Sequence, residues 1–199
     1  STCLVGSEMC IRDSYQALGK SEQALKYEII ASTIFEKSLD AKHLKLATSY
    51  NSLAIIYQSL GFLSEALKYQ KKSVDILEQI LDVKHLKLAT SYTNLASIYQ
   101  SLGFLSEALQ YQKKAIVIEE KTLDNKHPNL ATSYSNLSII YQKLNNLEYA
   151  LIFQKQALII RKQILIPNHP DLATSYHNLA SIYKSLGFLS EALQYQKKA

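Results

Sequence analysis

The sequence predicts an all-α solenoid built from antiparallel helix pairs that repeat every 42 residues. The pentapeptide Leu-Ala-Thr-Ser-Tyr occurs four times at this spacing, starting at Leu46, Leu88, Leu130 and Leu172. Apolar residues within each repeat follow a helical period, and a glycine or asparagine separates two helical stretches. Because one helix pair cannot bury both of its apolar faces alone, neighbouring repeats are expected to stack.

The overall composition is that of a folded helical chain. Of the 199 residues, 47% are hydrophobic and 20% are charged, which is typical of globular domains. Five glycines and three prolines are too few for collagen-like or low-complexity sequence. No apolar run approaches the roughly 18 residues that a membrane-spanning helix requires, so we expect no membrane partner. The net charge of +5 comes mostly from scattered lysines and favours solubility before nucleic-acid binding.

The first 14 residues stand outside the repeats. Periodicity extends back only to Tyr15, so we interpret residues 1–14 as a non-repeat leader of artefactual origin, with a degenerate capping helix as the alternative. This leader contains both cysteines, Cys3 and Cys10, so the repeats have no thiol for a disulfide, zinc site or nucleophile. Because no secretory signal is visible, we expect a cytoplasmic location.

Residues 15–199 are predicted to form the repeat array. It divides into a partial unit 15–42, full units 43–84, 85–126 and 127–168, and a partial unit 169–199. Neither terminal unit shows the polar outer face that a solenoid cap needs. We therefore expect the ends to fray or to mediate self-association.

The first helix of each unit, helix A, is indicated by an apolar stripe at helical spacing. In the unit 43–84 the stripe includes Leu46, Tyr50, Leu53 and Tyr57. A residue that accepts the left-handed conformation then ends the helix. This position is occupied in successive units by Gly19, Gly61, Gly103, Asn145 and Gly187.

The second helix, helix B, is predicted to run for roughly 18 residues from the segment Ser64-Glu65-Ala66 and its equivalents. A short polar connection then leads to the next helix A, where Pro128 and Pro170 suit the first helical position. A histidine precedes each helix A, at His43, His85, His127 and His169. Stacked helices about 8–10 Å apart hold these imidazoles too far apart to share a zinc ion, so we expect no metal and no other cofactor.

These columns resemble the tetratricopeptide repeat. The residues that carry the resemblance are Tyr92, Leu95, Ala96, Tyr99, Gly103, Ala108 and Ala115. The 42-residue length, with His-Pro-Asp-Leu-Ala and Asn-Leu-Ala, is similar to the kinesin light chain type of repeat. The resemblance implies a right-handed superhelix whose concave groove, lined by the A helices, binds an extended peptide or a helix of another protein. The sequence departs from the family at Gln70, Gln112, Gln154 and Gln196, where an aromatic residue is common.

The predicted groove is the face of helix A opposite its apolar stripe. Its residues are Thr48, Asn51, Ile55 and Gln58; Thr90, Asn94, Ser97 and Gln100; Thr132, Asn136, Ile139 and Gln142; and Thr174, His177, Asn178 and Ser181. The column Asn94, Asn136 and Asn178 suits a peptide backbone, because an amide both donates and accepts; alternatively, these side chains satisfy neighbouring helix ends or solvent. A clamp for a peptide carboxylate is disfavoured, since the nearest basic residues are Lys143 and Lys184.

Three other functions have less support in the sequence. Catalysis has no candidate, because no nucleophile, base and orienting group recur as a set, so we predict that the chain is not an enzyme. An RNA-binding repeat is suggested by lysine pairs such as Lys71-Lys72 and Lys113-Lys114, but these lie on helix B, away from the groove, and make nucleic acid a disfavoured partner. The array is alternatively the sensor or regulatory portion of a larger signalling protein.

Overall fold

The computed structural model describes residues 21–199, and within this range every regular element is an α-helix. The leader 1–14, with both cysteines, and Gly19 lie outside the described residues. The helices are α1 (Ser21–Ser38), α2 (Leu44–Ser59), α3 (Leu63–Ile80), α4 (Leu86–Ser101), α5 (Leu105–Thr122), α6 (Pro128–Lys143), α7 (Leu147–Ile164), α8 (Pro170–Ser185) and α9 (Leu189–Gln196). No helix in the described range is both long and apolar enough to cross a membrane.

The predicted division of a repeat into two helices is confirmed for the repeats that begin at residues 43, 85, 127 and 169, whereas helix A of the partial unit 15–42 lies outside the described residues. Helices α2, α4, α6 and α8 are A helices of 16 residues, and α1, α3, α5 and α7 are B helices of 18 residues. The described residues form two compact units, which meet in sequence between Gly103 and Phe104. We call them unit 1, which contains α1–α4, and unit 2, which contains α5–α9.

Each described A helix begins at the histidine that the sequence marks as a helix start. The imidazole Nδ1 of His43 accepts a hydrogen bond from the backbone N–H of Lys45 at 3.0 Å, satisfying one of the unpaired donors of the first turn. His85, His127 and His169 do the same. Pro128 and Pro170 are the first residues of α6 and α8, as predicted. No three metal-ligating side chains among residues 21–199 lie close enough to hold an ion.

The turn between helices A and B depends on a residue in the left-handed conformation. Gly61, Gly103 and Gly187 each have φ of 83°, and Asn145 has φ of 58°. At the first turn the N–H of Gly61 donates to the carbonyl of Gln58, and the next N–H donates to that of Tyr57. These bonds satisfy carbonyls that the end of the helix leaves free.

The A and B helices of a repeat are antiparallel, as the paired contacts in unit 1 demonstrate. Ser73 Oγ donates to the carbonyl of Ala47 at 2.8 Å, and Gln70 Nε2 donates to Asn51 Oδ1 at 3.1 Å. The fully buried Ala66 packs beside Ala54 further along the same pair. Residues with increasing numbers along α2 therefore pair with residues with decreasing numbers along α3. In unit 2, α6 and α7 are related in the same way.

The B-helix glutamines are buried links to the following A helix. Gln70 is 0% exposed, and its Nε2 donates to both the carbonyl and the Oγ of Ser91, at 3.1 and 2.9 Å. Gln112 and Gln154 donate to the carbonyls of Ser133 and Ser175. A buried amide needs hydrogen-bond partners, and a small serine opposite leaves room for them. This pairing accounts for the departure from the aromatic residue that the family resemblance led us to expect.

The tyrosines of the A helices are core residues, as expected, and several direct their hydroxyl towards an acidic residue. Tyr50, Tyr92 and Tyr134 donate to Glu36, Glu78 and Glu120 at 2.7–2.8 Å. Burial, together with the hydrogen bond to Glu120, raises the pKa of Tyr134 to about 12. The residue equivalent to Glu36, Glu78 and Glu120 in α7 is Lys162. Its Nζ lies 5.7 Å from the ring centre of Tyr176.

One B-helix position buries a carboxylate. Glu119 in α5 is only 6% exposed, whereas the equivalent residue of α3 is the buried Leu77. Ser133 donates to the Glu119 carboxylate, but Oε2 has no hydrogen-bond partner. Burial raises the pKa of Glu119 above its ordinary value, and the neighbouring Glu120 adds to the effect.

Replacing Gly61 by Ala is expected to lower the free energy of unfolding by about 1–2 kcal/mol, the cost of a left-handed residue that carries a Cβ. An added Cβ would have no atom within 4 Å, so backbone strain is the only cost. Urea denaturation measures the change. Asn145→Gly is the control and should be neutral or slightly stabilising. A Gly61→Ala protein as stable as the wild type would contradict this account of the turn.

Replacing Glu119 by Leu is expected to stabilise unit 2 at pH 7 by roughly 1–3 kcal/mol, because an incompletely paired buried carboxylate is removed. A raised pKa in the folded state means that the folded chain binds the proton more tightly than the unfolded chain. The stability of the wild type therefore falls as pH rises above 4.5, the ordinary value, and the advantage of the variant should shrink towards acidic pH. Urea denaturation between pH 4 and 7 tests this, with Glu107→Gln, at an exposed position of α5, as control. A pH-independent difference would refute it.

Candidate functional site

Four predicted groove residues in unit 1 come together where α2 lies beside α4. Asn51 Oδ1 accepts hydrogen bonds from Asn94 Nδ2 at 2.9 Å and from Gln70 Nε2 at 3.1 Å. Closer to the C-terminal ends of the two helices, Gln58 Nε2 donates to Ser97 Oγ at 3.0 Å. Polar side chains of successive A helices are thus bonded to one another along this surface.

The amide of Asn94 is therefore engaged within the protein. The hydrogen bond to Asn51 corresponds to the alternative that these asparagines satisfy neighbouring groups. Asn136 and Asn178 occupy the same column on α6 and α8, and both are half-buried. In unit 2, Gln142 Nε2 donates to Ser181 Oγ at 3.0 Å, repeating the bond between Gln58 and Ser97.

A cleft of about 220 Å³ opens between the N-terminal halves of α2 and α4. Predicted residues at its rim are Thr48, Asn51 and Thr90. The threonine hydroxyls donate to carbonyls one turn earlier, at 3.0 and 3.1 Å, so their oxygens remain as acceptors. The remaining lining residues are Ala47, Ser73, Leu77, Lys87 and Ser91.

Lys87 is a basic residue of this cleft that the sequence analysis did not name. The basic residues expected nearest the groove were Lys143 and Lys184. Lys87 is exposed and lines the same cleft as Thr90, which lies three residues further along α4. Residues three apart on a helix share a face, so the spacing was available in the sequence. Ser73 and Leu77 were missed because they belong to helix B, which the groove prediction left out.

The remaining predicted residues also lie on the A helices of the two units. Ile55 is exposed and Ile139 is half-buried. Thr132 and Thr174 bond to carbonyls of their own helices, like Thr48 and Thr90. Gln100 is half-buried. In unit 2, His177 and Ser181 line a second cleft of about 430 Å³ together with Lys184 and with Leu189 and Leu193 of α9.

The lysine pairs of the B helices lie against tyrosine rings. Lys72 Nζ is 4.8 Å from the ring centre of Tyr50, and Lys71 Nζ is 5.7 Å from that of Tyr99. In unit 2, Lys113 lies 5.6 Å from the ring of Tyr141. These lysines cover aromatic core residues, and neither cleft includes them.

Comparison with solved structures shows the same fold in several proteins. The kinesin light chain nearly identical TPR-like repeats of Podosopora anserina share 27% identity, with a TM-score of 0.86 over 98% of this chain and 92% of that one. BtubC (BKLC) from P. vanneervenii shares 22% identity, with a TM-score of 0.86 over 98% and 78% of the two chains. RapI in its apo form shares 15%, with a TM-score of 0.84 over 98% and 68%. No curated protein sequence matches the chain.

The tetratricopeptide repeat family model matches residues 13–79, 87–163 and 150–199, which together make up most of the sequence. Proteins of this fold are generally non-catalytic scaffolds for protein–protein interaction. The family match and the similarity to kinesin light chain repeats agree with the all-α repeat structure described above. The chain therefore belongs to the tetratricopeptide repeat family, as a kinesin light chain-like member with a helical repeat solenoid fold.

Proposed function

We propose that the A-helix face binds an extended peptide or a helix of a partner protein, and that the unit 1 cleft receives one of its side chains. The observation that carries this proposal is the composition of the cleft. Ala47 and Leu77 contribute apolar surface, whereas Thr48, Thr90 and Lys87 contribute polar groups. Apolar surface with a few polar groups around it is typical of binding sites in proteins.

The size of the cleft favours a peptide over a small molecule. Sites for drug-sized ligands usually enclose roughly 300–1,000 Å³. A cleft of about 220 Å³ suits one side chain of a longer ligand instead. The rest of such a ligand would lie along α2 and α4, where the bonded polar side chains offer donors and acceptors to its backbone.

The polar groups also indicate which peptides would be preferred. The threonine oxygens accept hydrogen bonds from backbone N–H groups. The Lys87 ammonium donates, and it favours a carboxylate or carbonyl oxygen beside the inserted side chain. We therefore expect peptides with an apolar residue next to an acidic one to bind best.

The proposal is tested by selecting peptides from a displayed random library against the whole chain and measuring their affinity by titration calorimetry. Enrichment of a common motif whose binding depends on cleft residues supports it. A selection that yields no binder, or binders unaffected by every A-helix substitution, would move the binding surface to another face.

Replacing Thr90 by Arg is expected to weaken binding of the selected peptide at least tenfold, because the longer side chain would fill the cleft. Thr90 is exposed and arginine favours helices, so the fold should be retained. Calorimetry gives the affinity, and circular dichroism checks the helix content. Gln79→Arg, at an exposed position of α3 outside the cleft, should bind like the wild type. Equal affinities of both variants would exclude the cleft.

Replacing Asn94 by Ala is expected to weaken peptide binding by about twofold to tenfold, because a hydrogen bond to a peptide backbone contributes roughly 0.5–1.5 kcal/mol. The substitution should also lower stability slightly, because the bond of Asn94 to Asn51 is lost, although alanine is the better helix former. Calorimetry and thermal melts separate the two effects. Undiminished affinity of the Asn94→Ala variant would show that this side chain does not contact the ligand.

A further inference from the structure

The outer side of α7 carries an unusual set of exposed residues. Five positions at helical spacing form what we call the α7 stripe: Tyr149, Ile152, Gln156, Ile159 and Gln163. Tyr149 and Ile152 are each 50% exposed, and Ile159 is 57% exposed. None of the five side chains is charged, so the stripe is a neutral surface that combines three large apolar side chains with two glutamine amides.

The other full-length B helices of the described chain carry charges at these positions. The equivalents in α3 are Glu65, Lys68, Lys72, Asp75 and Gln79, and those in α5 are Glu107, Gln110, Lys114, Val117 and Lys121. Charged residues at such sites keep a helix surface solvated at little cost to its stability. A B helix of this repeat therefore folds without the apolar residues of the stripe. Exposed apolar residues that lie next to one another often mark interaction surfaces.

The connection that follows α7 also has an exposed apolar residue where the other described connections have a charged one. In the three preceding connections, Asp40, Asp82 and Asp124 each accept the backbone N–H two residues later at 2.8 Å. Such a bond stabilises the turn. The equivalent residue after α7 is Ile166, which cannot accept a hydrogen bond and is 71% exposed. The turn after α7 thus has an exposed apolar residue, near the C-terminal end of the stripe, in place of a side chain that accepts a hydrogen bond.

We propose that the α7 stripe binds the α7 stripe of a second copy of this chain, with the two helices antiparallel about a two-fold axis near Gln156. In such a pair, Ile152 of each copy would lie against the partner's Ile159, since the two residues lie on either side of the axis. The glutamine amides beside the axis would both donate and accept, so neither would be left unpaired in the interface.

Charge at the edges of the stripe favours this orientation and a second copy as the partner. Glu148 lies near the N-terminal end of α7 and Lys162 near its C-terminal end, and both are exposed. In an antiparallel pair each Glu148 would face the partner's Lys162, giving two symmetric attractive contacts. A parallel pair would instead oppose like charges. The charges of Glu148 and Lys162 thus favour an antiparallel pair of two copies over a parallel one.

The expected dimer is weak. An 18-residue helix is about 27 Å long and about 10 Å wide, so one helix–helix contact covers on the order of 300 Å² on each copy. The total of about 600 Å² is below the roughly 1,000 Å² that specific interfaces bury, so the pair should form only transiently and at high protein concentration. The interaction would thus depend on concentration, and it lies on the B-helix side of the repeat, separate from the proposed peptide site.

Sedimentation velocity of the whole chain from about 1 µM to about 1 mM tests the proposal. The wild type should shift from monomer to dimer across this range. The double variant Ile152→Lys/Ile159→Lys should associate at least tenfold more weakly, because each new lysine would lie against a lysine of the partner copy. Helix α3 carries a lysine, Lys68, at the position equivalent to Ile152, so a B helix of this repeat accommodates such a side chain. Ile30→Lys is the matched control, because Ile30 is also exposed and the next repeat has lysine there.

A cross-linking experiment tests the orientation independently. In a chain with Cys3→Ser and Cys10→Ser, the variant Gln156→Cys should form a disulfide-linked dimer on mild oxidation, because the two-fold axis would bring its two copies within bridging distance. Gln110→Cys, at an exposed position of α5, should remain monomeric.

Three results would overturn the proposal. One is a wild type that stays monomeric up to the highest concentration. Another is a double variant that associates as strongly as the wild type, which would move the contact elsewhere, for example to the exposed Leu189 and Leu193 of α9. The third is failure of Gln156→Cys to cross-link. The cross-linking result tests the proposed dimer even if circular dichroism shows that the double variant is misfolded.

Discussion

Within each unit, the contact between one B helix and the following A helix supports the rest of the structure, because no repeat buries its apolar faces alone. Ala66 in α3 and Ala150 in α7 are both fully buried, and each shares a core cluster with an isoleucine of the following A helix, Ile98 and Ile182 respectively. At the same contact the buried glutamine of the B helix bonds to a serine of the next A helix, as Gln70 does to Ser91. Apolar packing supplies most of the stabilisation, and the amide bond satisfies polar groups that this packing buries.

The serines of this contact also form hydrogen bonds with different residue types in one column of the B helices. One column of B-helix residues contains Phe35, Leu77, Glu119 and Arg161 in successive repeats. Ser133 donates to the carboxylate of Glu119, and Arg161 Nη1 donates to Ser175 Oγ at 2.6 Å. Burial lowers the pKa of Arg161, while the neighbouring Asp171 opposes that effect. A hydroxyl both donates and accepts, so one serine column serves a carboxylate and a guanidinium, although neither charge is fully compensated.

The same repeat therefore presents different surfaces at different places in the chain. The helices, turns and caps are kept, whereas the exposed positions vary without cost to the fold. In unit 1 this freedom produces a cleft with Lys87 at its rim, and in α7 it produces a neutral stripe where α3 is charged. The unit 1 cleft is the surface that we propose for a partner peptide, and the α7 stripe is the surface that we propose for a second copy of the chain.

The sequence alone determined the features that depend on residues close together in the chain. The helical periods, the caps of His43 and its equivalents and the turn at Gly61 involve contacts within about four residues, so they follow from local chemistry. Only the tertiary structure decided that Asn51 bonds to Asn94, 43 positions away, and that Ser73 and Lys87 share one cleft. These contacts depend on how far one helix slides and rotates against another. That alignment is set by the packing of whole helix faces, which no short stretch of sequence specifies.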